Sequence, residues 1–313
     1  MVAASELPIN TGATALQMAN EIFGNGATVI SANYSGDNQS SGIYSDGDAT
    51  SPGVGPADTG VIWSTGRASD FTRSFGDSNQ STNTSTNTSG VNGDSDLNSL
   101  AGALTRDASI REVGFIPTGD TLSFQFIFAS EEYPEFTNSI YNDIFGVWIN
   151  GNSVDLAINT NTSIGSINDG NNENLYKDNT SDQFNTEMDG FTVTMTLTLT
   201  VTPDVLNTIK IGIADVGDSS YDSNVLIAGG SIQNDLLLGD DTFNVVQNGS
   251  PDLNVLANDI DNTGGTLVIT HINGVEVTAG VTVVTLATGQ QIMLNLDGTF
   301  NMINDADLET FSF

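Results

Sequence analysis

The chain has no cysteine. A disulfide framework and a thiolate metal site are therefore both excluded, and the absence fits a secreted bacterial protein that folds without oxidation machinery. Cationic residues are scarce: six Lys and Arg stand against 39 Asp and Glu, for a formal net charge of −33 and a pI near 4.1. Such a surface repels nucleic acid and anionic membranes, so neither is expected as a partner. A lone histidine, His271, excludes His-based triads in the first domain, multi-His zinc sites and H-E-x-x-H chemistry. No G-x-S-x-G, P-loop or Rossmann fingerprint occurs. No apolar run approaches the ~20 residues a membrane span needs. The N-terminal MVAASELPINTG lacks the basic and apolar regions of a signal peptide, so export without an N-terminal signal is the expectation.

Charged residues nevertheless make up only 14% of the 313 residues, so the chain is globular rather than a polyelectrolyte. Its length allows one large or two ordinary domains. Self-repulsion weakens such a fold unless counter-ions bind. Ca²⁺ suits this role because it accepts irregular cages of carboxylate and carbonyl oxygens.

Strand signals dominate. One short N-terminal helix is expected over residues 13–23, with Leu16, Ala19, Ile22 and Phe23 on one face, Thr11 or Thr14 as cap and Gly24 as its end. Strands are expected at Ala27–Ala32, Gly60–Ser64, Ile110–Ile116, Leu122–Phe128, Ile144–Ile149, Gly190–Val201, Thr208–Ala214 and Asn224–Ile232. The pattern predicts an all-β, antiparallel, jelly-roll-like β-sandwich over residues 1–235. Composition changes near Asn234–Asp241, and residues 236–313 read as a second, smaller Ig-like β domain, either complete or one pair of strands short, with an Asp297-Gly298 type I′ hairpin. Ser78–Gly90 (SNQSTNTSTNTSG) is low in complexity and predicts a long exposed loop. Asn168–Glu187 is a second polar insertion, with Tyr176 and Phe184 as anchors.

Two constellations carry the chemistry. In FQFIFASEEYPEFTNSIYNDIFGVWI, Glu131, Glu132 and Glu135 lie between two apolar runs, and Asp143 opens the second. Placing carboxylates between buried strands costs free energy unless they are paired or bind a cation. The nearest basic residues in sequence are Arg111 and Lys177, which points to a metal. Strand alternation sends Glu131 and Glu132 to opposite faces, one inward to the metal and the other solvated, so they cannot be a glycosidase pair. In ADVGDSSYDSN, Asp215, Asp218 and Asp222 fall in a short loop, with Tyr221 as an apolar anchor. The spacing is Ca²⁺-like without matching an EF-hand. If both constellations meet at one end of the sandwich, Glu131, Glu132, Asp143, Asp215, Asp218 and Asp222 complete a calcium site.

The order ASEEYPEF…YNDIFGVWING, then IGIADVGDSSYDSNVLIAGGS, preceded by GVIWSTG and DASIREVGFIPTGDTLSFQFIF, resembles the bacterial choice-of-anchor L family over roughly residues 10–233. Arg111 departs from that pattern, where the family usually carries an apolar residue. The resemblance implies a secreted or cell-surface module of a larger exported protein. Residues 240–313 are similar to Ig- or cadherin-like repeats, with Asp259 and Asp261 in an acidic junction loop. The expected function is a non-enzymatic, calcium-stabilised extracellular adhesion module with a glycan or peptide ligand on a cell surface. Two alternatives stand beside it. A structural subunit could form a homo-polymeric filament by strand exchange at the chain end near Phe313. A carboxylate glycosidase could pair Glu132 or Glu135 with Asp143 or Asp218. Trp63, Trp148 and Tyr133 are candidate sugar-stacking aromatics.

Overall fold

The computed structural model describes residues 2–81, 83–137, 139–156, 162–233, 268–273, 275–286, 289 and 291–302. Two units make up the chain, Met1–Asn234 and Asp235–Phe313. The first begins with β1 (Ile9–Asn10), α1 (Ala15–Ile22), β2 (Ala27–Ser35), β3 (Ser41–Tyr44), α2 (Gly47–Thr50), β4 (Gly60–Ser64) and α3 (Ser95–Ala101). Then come β5 (Thr105–Pro117), β6 (Thr121–Ser130), β7 (Ile144–Ile149), β8 (Asn152–Ser153) and β9 (Thr162–Ser163). It closes with β10 (Tyr176–Asp178), β11 (Gly190–Thr192), β12 (Met195–Thr200), β13 (Asn207–Val216) and β14 (Ser223–Ala228).

These strands form the two sheets of an antiparallel sandwich. One has the order β1-β3-β4-β14-β6-β11-β10, with β12 also pairing with β6. The other has the order β2-β5-β13-β7-β8, with β9 pairing with β7. Their inner faces share one core: Trp63, Phe124, Phe126, Phe128 and Val225 from the first sheet meet Val113, Phe115, Phe145, Val147 and Ile211 from the second. The outer faces are covered too. Leu97 of α3 packs on Ile110, Ile144 and Trp148, while Phe71, Met188 and Phe191 cover Ile62 and Leu226. Burial on both faces explains why Ile144–Ile149 reads as a continuous apolar run rather than an alternation.

The helix is shorter than its apolar pattern. Thr14 caps it in a capping box with Gln17, and Phe23 rather than Gly24 is the C-cap residue. Leu16 is exposed, and Met18 takes the core position with Ala19 and Ile22. The alternation over Gly190–Val201 is split between β11 and β12. There Thr192 Oγ1 accepts the Phe128 N–H at 3.1 Å, a side-chain bond where the ladder breaks.

In the second unit β15 (His271–Ile272) pairs with β16 (Val275–Glu276), and β17 (Val283–Thr285), β18 (Gln291–Leu294) and β19 (Phe300–Met302) form a meander. Ile272, Val284, Ile292, Leu294 and Phe300 make its core. The expected type I′ turn is a longer one. Gly298 N–H donates to Asn295 O and Asn295 N–H to Thr299 O, with Gly298 at φ 86 and no positive φ at Asp297. That is a type I turn closed by a left-handed glycine. The Asn234–Asp241 linker, the loop carrying Asp259 and Asp261, and the chain end at Phe313 lie outside the described residues.

Candidate functional site

Both acidic constellations stand at one end of the sandwich. Glu131 and Glu132 follow β6, Asp143 precedes β7, Asp215 is the second-to-last residue of β13, and Asp222 precedes β14. Pairing aligns these ends: Ser130 faces Ser223 across the first sheet, and Ile144 faces Ala214 across the second. One hydroxyl ties the sheets together. Ser223 Oγ lies 2.8 Å from Ser130 Oγ and donates to Asp143 Oδ2 at 2.7 Å. The Val216 N–H donates to Asp143 Oδ1 at 3.0 Å, and the Asp143 N–H to Glu132 Oε2 at 3.4 Å. The Glu131 N–H donates to Asp222 O at 3.2 Å. Phe136 stacks on Tyr221 at 5.1 Å, so the aromatic anchors of the two constellations hold each other.

Five of the six residues are sealed from water: Glu131 and Glu132 at 1% exposure, Asp143 at 0%, Asp215 at 1% and Asp222 at 2%. Asp218 stands half-exposed at the rim, where its Oδ1 accepts the Ser220 N–H. Strand alternation predicts that one of the paired glutamates is solvated; the structure buries both. The six divide into two groups rather than one cage, Glu132–Asp143–Asp215 with Asp218 at its rim, and Glu131–Asp222. Among the described residues, no three acidic or imidazole side chains converge closely enough to enclose an ion as they stand.

The cover over Glu131 and Asp222 is the low-complexity segment. Its sequence places Thr at every second position, and Thr84, Thr86, Thr88 and Gly90 turn inward while Asn83, Ser85, Asn87 and Ser89 turn out. Inward N–H groups meet carboxylates in succession: Thr84 to Glu131 at 2.8 Å, Thr86 to Asp222 at 2.9 Å and Thr88 to Asp107 at 3.1 Å. Ser89 then donates to Asp37 at 3.0 Å, and Thr84 O accepts the Asp222 N–H at 2.9 Å. The expected exposed loop is thus an extended strap docked on acids, and the TNTSTNTS alternation is the signal that marks it. Gly66 makes room beneath: a Cβ there would fall inside the Asp222 carboxylate.

The electrostatics follow from burial without cations. Three ion pairs occur among the described residues, Arg73–Glu187, Lys210–Asp94 and Lys210–Asp96, and none includes the six. Burial pushes Glu131 up to about 9, against the Thr84 hydrogen bond and with the charges of Asp189, Glu187 and Asp222 adding. Burial likewise raises Asp222 to about 7, opposed by the Thr86 N–H. Glu132, Asp143 and Asp215 all rise through burial, with the charge of Asp143 adding at Glu132 and Asp215 and that of Asp218 adding at Glu132 and Asp143. Asp143 rises against three hydrogen bonds, from Ser223, Val216 and Asp215. The Asp143–Asp215 bond itself needs a proton between the two carboxyls. Glu131 Oε2, Asp215 Oδ1 and Asp222 Oδ2 are buried oxygens with no partner. Hard oxygen donors, negative charge and unpartnered atoms fit a hard divalent cation. A seat for one needs side-chain rotation, backbone carbonyls or water to complete it.

Other sequence readings change. Glu135 is exposed and apart from the buried pair. Trp63, Trp148 and Tyr133 are all buried, with Tyr133 Oη donating to Ile167 O at 2.7 Å, so none offers a face for sugar stacking. Tyr176 stacks on Tyr133 at 4.9 Å and Phe184 on Phe191 at 5.1 Å, anchoring the second polar insertion as expected. Sequence reasoning missed Asp37, Asp107 and the strap threonines, which belong to the same acidic end.

The family model for the choice-of-anchor L domain matches residues 8–233. No curated protein and no solved structure matches the chain.

Proposed function

Because the chain belongs to the choice-of-anchor L domain family, which marks surface or secreted bacterial modules, we propose that its first unit is a non-enzymatic, calcium-stabilised adhesion module. The observation that carries this reading is the set of five sealed carboxylates at one end of the sandwich, with no basic partner among the described residues. Each must either hold a proton or share a cation, because a bare buried carboxylate is too costly to persist. A chain with so few basic residues must take that cation from solution.

Glu132, Asp143 and Asp215, with Asp218 at the rim, are the residues to hold one ion, and Glu131 with Asp222 the residues to share another. Bound calcium supplies charge neutralisation and fixes loop geometry. The chain's own groups do the rest: Ser223 holds Asp143, and the strap holds Glu131 and Asp222 from the solvent side. The stiffened loops around Glu135, Tyr141 and Asp218 then present a surface to a glycan or peptide on a cell. With Glu132 and Asp143 sealed, a glycosidase pair would have to come from Glu135, which is exposed, and Asp218, which is half-exposed at the rim.

Calorimetric unfolding in excess Ca²⁺ and in EDTA tests the reading. A melting temperature higher in calcium supports it, and equal temperatures at neutral pH refute it.

A further inference from the structure

Arg111 is the odd residue of the core. It lies in β5, fully buried, on the inner face of its sheet. Across the strand pair it faces Tyr34, whose ring lies 5.0 Å from the guanidinium carbon. From the opposite sheet the Trp63 ring approaches to 5.9 Å. Among the described residues the only hydrogen-bond acceptor at the guanidinium is Met18 Sδ, 3.2 Å from Nη2. Nε and Nη1 have no partner, and the buried Trp63 Nε1 has none either. No carboxylate among the described residues pairs with Arg111, although the chain holds 39 acidic residues.

A guanidinium cannot shed its proton at working pH; burial brings this one only down to about 10. An unpaired buried charge costs several kcal/mol. The two aromatic faces offset part of that cost. They leave the three in-plane N–H donors of Nε and Nη1 unsatisfied. Water can accept those hydrogen bonds but leaves the charge uncompensated. The one contact to the remaining nitrogen comes from an unbranched methionine, which can shift to make room.

We propose that Arg111 and Trp63 form an anion site between the two sheets, taking one compact monovalent anion such as chloride. Enclosure limits the occupant's size, since neither side chain reaches solvent. One guanidinium with no acid beside it sets the charge. The ion enters as the sandwich closes and is retained by folding.

The test compares chloride with gluconate at equal ionic strength and fixed saturating calcium. Unfolding temperature is expected to be higher in chloride, by about 3–5 °C for each tenfold rise above the dissociation constant. Arg111→Leu is expected to abolish the difference while remaining as stable as the parent in gluconate, because an apolar isostere removes the buried charge. Trp63→Phe, which deletes only the indole donor, is expected to weaken it. Crystals grown from protein unfolded and refolded in bromide are expected to show an anomalous peak within hydrogen-bond distance of Arg111 Nε or Nη1. Equal unfolding temperatures in the two salts overturn the proposal, as does density at the guanidinium without anomalous signal.

Discussion

Stripped of metal, the protein is expected to become less stable as pH rises from about 4 to about 8. Glu131 and Asp222 titrate in the folded state at about 9 and about 7, above the ordinary carboxylate range, because burial disfavours their charged forms. Folded protein therefore binds more protons than unfolded chain across this window. The stability these protons carry is complete below the unfolded pKa and lost as pH rises through the folded one. For Asp222, raised from 3.8 to about 7, the loss by neutral pH is on the order of 4 kcal/mol at 1.36 kcal/mol per unit. For Glu131, still protonated at pH 7, the loss between pH 4.5 and 7 is about 3 kcal/mol by the same conversion. Together they rival the whole stability of a domain, about 5–15 kcal/mol. Calcium exchanged for these protons is expected to flatten the profile. Urea unfolding across this range, in EDTA and in excess Ca²⁺, measures both curves. High salt in each arm screens repulsion from the acidic surface. Metal-free stability that stays flat or rises toward pH 7 refutes the reasoning.

Three substitutions probe the same end. Gly66→Ala pushes a methyl into the Asp222 carboxylate and is expected to cost about 1–3 kcal/mol, seen as a lower urea midpoint with unchanged slope. Ser223→Ala removes the hydroxyl that joins Ser130 to Asp143. Its expected cost is about 1–3 kcal/mol, with calcium bound more weakly in a fluorescence titration. Thr86→Pro deletes the N–H that meets Asp222 and is expected to speed proteolytic cleavage of the strap. Ser85→Pro, on the outward row, is expected to leave cleavage unchanged.

Much of this fold is legible as periodicity. Gly60–Ser64 and Ile144–Ile149 are apolar runs that match their strands residue for residue, because burial on both faces leaves no ambiguity. The meeting of the two acidic constellations also follows from strand order, since antiparallel neighbours bring the end of β6 beside the start of β14. Burial beyond a strand end does not follow. Alternation assigns Glu131 and Glu132 to opposite faces, but what covers Glu131 is the strap, a segment distant in sequence and without apolar anchors. Its docking rests on main-chain N–H groups, which composition hides; only the threonine period betrays it. The type I turn at Asn295–Gly298 is missed for a local reason: Asp-Gly also serves where only the glycine turns left-handed. Arg111 shows a different limit. Its inward direction is readable from β5, but the absence of an acid beside it is a tertiary fact.

The central claim is that a divalent cation takes the place of protons on the buried carboxylates. Calcium titration calorimetry of metal-free protein near pH 6.5, repeated in buffers of different ionisation enthalpy, measures binding and proton release together. The expected result is saturable binding that releases protons, with fewer released by an Asp222→Asn variant. Heat-silent titration, or binding with no proton release, contradicts it.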